Sequence, residues 1–103
     1  MSEITKDGDQ TIVKPGQNIV VNMAEEFRNE LRNLVEEGPK ELVIDFEGIE
    51  MVDSVGIGVM IATYNSVMKF GGKFLVINVS KNLYGLFKTM RLDQHFKVMM
   101  VEE

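Results

Sequence analysis

Two short apolar runs, Leu42-Val43-Ile44 with Phe46 close behind and Phe74-Leu75-Val76-Ile77, constrain the fold more than any other feature of the chain. The first is nearly continuous rather than alternating, which suits a central strand covered on both faces, and the second reads as another buried strand. The period between them changes: Ile57, Met60, Ile61, Tyr64, Val67 and Met68 recur at helical intervals until Gly71-Gly72 stops the pattern. Strand, helix and strand in that order predict a right-handed crossover that lays the two strands parallel.

The flanks extend this unit. "EITKD" and "QTIVKP" read as two strands around the turn Asp7-Gly8-Asp9, stopped by Pro15-Gly16, so a hairpin at one sheet edge is expected. Met23, Phe27, Leu31, Leu34 and Val35 mark an amphipathic helix with Glu25, Glu26, Glu36 and Glu37 in solvent. Asn22 with Glu25 resembles a capping box at its start, and Gly38-Pro39 ends it. Leu83, Leu86, Phe87 and Met90 predict a shorter helix, and "HFKVMMVEE" a last strand. The eight methionines include Met60, Met68 and Met90 at helical positions that read as core. The whole is expected to be a small α/β sheet in one domain spanning residues 1–103, a length that buries one core.

Composition narrows the function. Eleven Lys+Arg against 16 Asp+Glu give a net charge of −5, which repels phosphate backbones and anionic headgroups, so neither direct nucleic-acid binding nor a membrane partner is expected. With no cysteine, thiolate metal sites and thiol nucleophiles are excluded. The polar start "MSEITKDGDQ" lacks the apolar core of a secretory signal, and no run reaches membrane-spanning length, which predicts a cytoplasmic protein. The single histidine, His95, stands at no recognisable distance from a Ser or Cys partner and reads as a surface or packing residue. No carboxylate pair, metal cluster or nucleophile constellation is visible, so no catalytic residue, metal or cofactor is expected.

The junction Val52 to Val59, "VDSVGIGV", carries the chemistry that remains. Ser54 falls where a helix beginning at Val55 needs an N-cap. Asp53 can assist that cap as an anion beside a helix N-terminus, or hold Mg²⁺ for a partner's phosphoryl transfer. Gly56 and Gly58 each cost about 1 kcal/mol in a helix relative to alanine, so something wants the backbone bare: a neighbouring strand or a partner protein. A phosphoryl group on Ser54 would be tolerated at the helix start and would change the surface rather than the fold. Residue chemistry alone leaves both a plain cap and a phosphosite open.

From Leu42 to Val98, the order strand, "DSVGIG", helix, "GG", strand and "LFKTMRLD" resembles the STAS domain of bacterial anti-sigma factor antagonists. The resemblance implies an α/β fold with a small mixed sheet of four to five strands and three to four helices. It also implies a binding module for signal transduction, not an enzyme. In such proteins the serine after the motif aspartate is phosphorylated by an anti-sigma factor that is a serine kinase, and a metal-dependent serine phosphatase reverses it. That serine corresponds to Ser54, and Asp53, Ser54, Val55, Gly56, Ile57 and Gly58 to the partner-binding segment. The family's Gly-x-x-Asp stretch after the second strand is "GQNI" here, with Ile19 in the aspartate position. The same fold also serves as a regulatory subunit of a transporter or lipid-transfer complex that does not depend on Ser54. Dinucleotide binding is the enzyme alternative, since Gly56 and Gly58 follow a strand and open a helix, but it is not expected: Ile61 occupies the third glycine position of the fingerprint, and "KFLVINVS" offers no acidic residue.

Overall fold

The computed structural model describes residues 2–102. Strands β1 (Glu3–Asp7) and β2 (Gln10–Lys14) form the edge hairpin, followed by α1 (Val21–Glu36), β3 (Glu41–Asp45), α2 (Ser54–Lys69), β4 (Lys73–Val79), α3 (Lys81–Thr89), a 3-10 turn at Leu92–Gln94 and β5 (Lys97–Met100). The strands lie in chain order β1-β2-β3-β4-β5; β1 is antiparallel to β2 and every other pair is parallel. This is the mixed sheet of an α/β fold with five strands and three helices, as the sequence predicts.

Register decides which side of the sheet is the core. Thr11, Leu42 and Phe74 align across β2, β3 and β4, as do Val13, Ile44 and Val76. These six residues are buried, and the apolar ones join Phe27, Leu31 and Leu34 of α1, Ile57, Met60 and Val67 of α2, and Leu83 and Phe87 of α3 in one cluster. Phe87 meets Phe46 edge to face, with ring centroids 5.7 Å apart, so α3 packs on this side as well. The opposite side carries Ile12, Val43 and Leu75 in one row. Val43 is buried between its two neighbours, which are only partly so. The first apolar run is thus buried as expected, but its second face is shielded by adjacent strands in place of a second helical layer.

Several local expectations are corrected. Helix α1 begins at Val21 with Val20 as its cap and no side-chain capping bond, so the Asn22–Glu25 capping box does not form. Met60 is fully buried, but Met68 and Met90 are half exposed and are not core. Ile61 and Leu86, also placed on the apolar stripes, are exposed to a similar degree. Glu25, Glu26, Glu36 and Glu37 are exposed as expected. His95 is exposed and lies against Tyr64, ring centroids 6.2 Å apart.

Candidate functional site

The sharp return from β3 to α2 is built residue by residue. Phe46 N–H donates to the Ile77 carbonyl, and Ile49 N–H to that of Phe46, which closes a tight turn. Asn18, from the loop after β2, accepts from the amides of Glu50 and Met51 at 2.9 and 3.0 Å. Ile19 then runs beside Val52 in a parallel bridge: its N–H donates to the Met51 carbonyl, and its carbonyl accepts from Asp53 N–H. The residue in the family's aspartate position is therefore a fully buried clamp on the motif.

Asp53, not Ser54, caps α2. Its Oδ1 accepts from Gly56 N–H at 2.9 Å, and its Oδ2 accepts from Val21 N–H, the first amide of α1, also at 2.9 Å. One carboxylate thus ties the starts of two helices together, and it supplies the cap that α1 lacks in its own sequence. The Gly56 amide, more than any other group, holds the Asp53 carboxyl below the ordinary carboxylate range, with help from the amides of Val21 and Val55 against a smaller desolvation effect.

With the cap taken, Ser54 is the first residue of α2, exposed, its hydroxyl without a hydrogen-bond partner among the described residues. Val55 and Gly58 also face solvent, whereas Gly56 and Ile57 are buried. Gly56 is bare because Ile19 crosses it: a Cβ there would lie 2.3 Å from the Ile19 carbonyl oxygen and 2.8 Å from its Cγ2. At Gly58 a Cβ would meet nothing within 4 Å. Of the two causes the sequence left open, a neighbouring segment accounts for Gly56, and no contact within the chain accounts for Gly58.

Two further residues belong to this surface and were not singled out in the sequence. Val21 is 61% exposed and Met51 56%; the Val21 amide donates to the Asp53 carboxylate, the Met51 carbonyl, just before the motif, accepts from Ile19 N–H, and with Val55 they supply apolar surface around Ser54. A large apolar residue at the exposed start of an amphipathic helix was the available signal for Val21. Met51, in a loop, left none. No group of three or more His, Asp or Glu among the described residues could hold a metal ion, and no helix is long and apolar enough to cross a membrane.

Comparison with known proteins gives a consistent set. The profile of the STAS domain family matches residues 2–103. The anti-sigma-B factor antagonist of Bacillus subtilis is 36% identical over 84 residues, covering 73% of this chain and 76% of its own. The crystal structure of an anti-sigma factor antagonist from Mycobacterium paratuberculosis superposes with a TM-score of 0.86 at 23% identity, covering 96% of this chain and 84% of its own. The Bacillus cell fate determinant SpoIIAA in its phosphorylated form gives 0.75 at 14% identity, over 95% and 90%.

Proposed function

This chain belongs to the STAS domain family, and we propose that it works there as an anti-sigma factor antagonist whose docking surface is switched by phosphate on Ser54. Unphosphorylated, it binds an anti-sigma factor serine kinase and so releases a sigma factor for transcription. Phosphorylated, it lets the kinase go, and a metal-dependent serine phosphatase resets it.

The observation that carries this reading is the division of labour at the start of α2. Asp53 has taken the cap, which leaves the Ser54 hydroxyl exposed on a fixed first turn and without a partner among the described residues. In the transfer, Ser54 Oγ attacks the γ-phosphorus of ATP, the bond to ADP breaks, and the hydroxyl proton passes to a base on the kinase. The chain contributes a rigid nucleophile and no catalytic group. The product carries about −1.5 to −2 beside an Asp53 already held ionised, amid Val21, Met51 and Val55. A partner that covers those apolar side chains must then strip water from a dianion that it cannot pair, and binding fails while the helix, capped by Asp53, stays folded.

The test is capture from native lysate with Ser54→Ala and Ser54→Asp baits side by side, with phosphate mapped on wild-type protein after incubation with ATP. A kinase held by the alanine bait alone, with phosphate on Ser54 of the wild type, is the expected result. The same partners on both baits and no phosphate would overturn the switch and favour a transporter-type or lipid-transfer regulatory subunit.

A further inference from the structure

Charge is divided unevenly along this chain. Between Ser54 and Val101 lie Lys69, Lys73, Lys81, Lys88, Arg91 and Lys97, with Asp93 as the only acid, although the whole protein has a net charge of −5. Lys6, Lys14 and Lys40, in the earlier part, are each paired with a carboxylate, those of Glu37, Glu47 and Asp9. Among the described residues, none of the six later cations has an ion pair; Lys88 lies over the ring of Tyr84. Because the strands follow chain order, this unpaired charge collects on the α2, β4, α3 and β5 side of the molecule.

The same side bears a largely exposed stripe of α2 at the edge of the core, where the half-buried Tyr64 packs against Phe74 and Phe96. Ile61, Tyr64, Asn65 and Met68 follow one another along α2 at helical intervals, with Ile61 38% and Met68 50% exposed. Two grooves run off this stripe and share Tyr64, His95 and Phe96. One, of about 390 Å³, passes between Ile61 and Asn65 on α2 and Met90 at the end of α3. The other, of about 480 Å³, passes Met68 between Lys73 and Lys97, with Glu41 the one acid beside it. Glu41, Lys73 and Lys97 are the first residues of β3, β4 and β5, whereas Ser54 opens the helix that follows the end of β3. The grooves therefore lie along α2 from its middle to its C-terminal end, away from Ser54.

We propose that this basic, methionine-bearing groove between α2 and α3 docks an acidic amphipathic helix of a protein partner. Its apolar residues would lie along Ile61, Tyr64, Met68 and Met90, and its carboxylates would meet Lys73 and Lys97. Charge complementarity selects this occupant: the surface has Lys73 and Lys97, neither in an ion pair among the described residues, against Glu41 as the one acid that lines it, and it has an apolar floor, which suits a helix with one acidic and one apolar face. Flexible methionines let such a groove adapt to the side chains it receives. A nucleic acid would make little use of the apolar floor, and a flat membrane little use of a concave one. The inference does not rest on phosphorylation of Ser54, from which the grooves are separate.

The test is a titration of the isotope-labelled full chain, followed by amide NMR, with a synthetic amphipathic peptide of about five helical turns, leucine on one face and glutamate on the other. Saturable shifts at Ile61, Tyr64, Met68, Met90, His95 and Lys97 below about 1 mM peptide are expected. They should weaken in about 0.5 M salt. The double variant Lys73→Glu/Lys97→Glu, both positions exposed, should bind at least about tenfold more weakly with an unchanged thermal midpoint. Equal binding of a peptide with lysine in place of glutamate, shifts centred elsewhere, or no shifts would overturn the proposal. So would binding of a DNA duplex or of anionic phosphatidylglycerol vesicles at the groove while the acidic peptide stays silent.

Discussion

A methyl group at Gly56 collides with the Ile19 backbone, whereas one at Gly58 enters open space, although the two glycines are neighbours on one helical turn. Gly56→Ala should therefore cost on the order of 1 to 3 kcal/mol, since Ile19 is fully buried and hydrogen-bonded on both sides and cannot step back. Gly58→Ala should raise stability by up to about 1 kcal/mol through helix propensity alone. Urea unfolding of both variants decides the matter; equal effects would mean that the Ile19 crossing is not as close as described. If Gly58→Ala is the more stable protein and yet loses its partner, the bare backbone there serves the partner's approach. The sequence marked both glycines as costly to the helix. It could not assign the reasons, because the atom that excludes a side chain at Gly56 belongs to a residue far away along the chain. The exchange of roles between Asp53 and Ser54 has a similar origin: either can cap, and which one does depends on a second amide, that of Val21, which only the folded chain brings near.

At the scale of elements, α1 and α2 depend on each other through that carboxylate. Asp53→Ala should release both helix starts and lower the thermal midpoint by on the order of 5 °C, while Asp53→Asn, which keeps an acceptor for Gly56, should lose less. The pH dependence has a definite sign. A carboxyl held lower in the folded protein than its ordinary 3.8 stabilises the fold above that value, and the contribution fades as pH falls below it toward the folded pKa. Wild type and Asp53→Asn should therefore converge in melting temperature as the pH drops below about 4, the ordinary carboxylate range; a constant gap between them would refute the ionised staple. Helix α2 itself was legible from its period and its double-glycine stop. Its buried face was not, because Val55, Ile57, Val59, Met60 and Ile61 place apolar groups nearly all around it and several stripes fit equally well. The tertiary choice buries Ile57, Val59, Met60, Thr63 and Val67 and turns Ile61 and Met68 outward, where they become surface for binding. The first helix shows the opposite case: its charged face left one apolar stripe, and Phe27, Leu31, Leu34 and Val35 fall in the core as read, with Met23 of the same stripe partly buried against it.

For the whole molecule, strand order sets where the fold is firm. β3 and β4 each pair on both sides, and opening either breaks two ladders and exposes Leu42, Ile44, Phe74 or Val76 to water. β1 pairs on one side only, and all five of its side chains are exposed, so its opening costs little beyond its own hydrogen bonds. β5 is also an edge, and its register with β4 breaks between Val76 and Val79, where Asn78 adopts a left-handed backbone and donates to Asp45. Hydrogen exchange should accordingly rank β3 and β4 as slowest, with β1 and β5 faster by about a hundredfold or more, which mass spectrometry of peptic fragments can resolve. Comparable protection of β1 and β3 would mean that the edge is covered in solution, by a second copy or by a partner. The same ranking matters for the proposed switch: the segment Val52 to Gly58 hangs from the firm centre, clamped to β4 through Phe46 and to the loop after β2 through Asn18 and Ile19. A phosphate placed on Ser54 would therefore meet a surface that cannot relax away from it. Exchange rates in β3 and α2 should stay within about threefold between wild type and Ser54→Asp, while partner binding falls. Faster exchange in α2 of Ser54→Asp would show that the charge loosens the helix, and would move the switch from the partner's side of the interface into the fold itself.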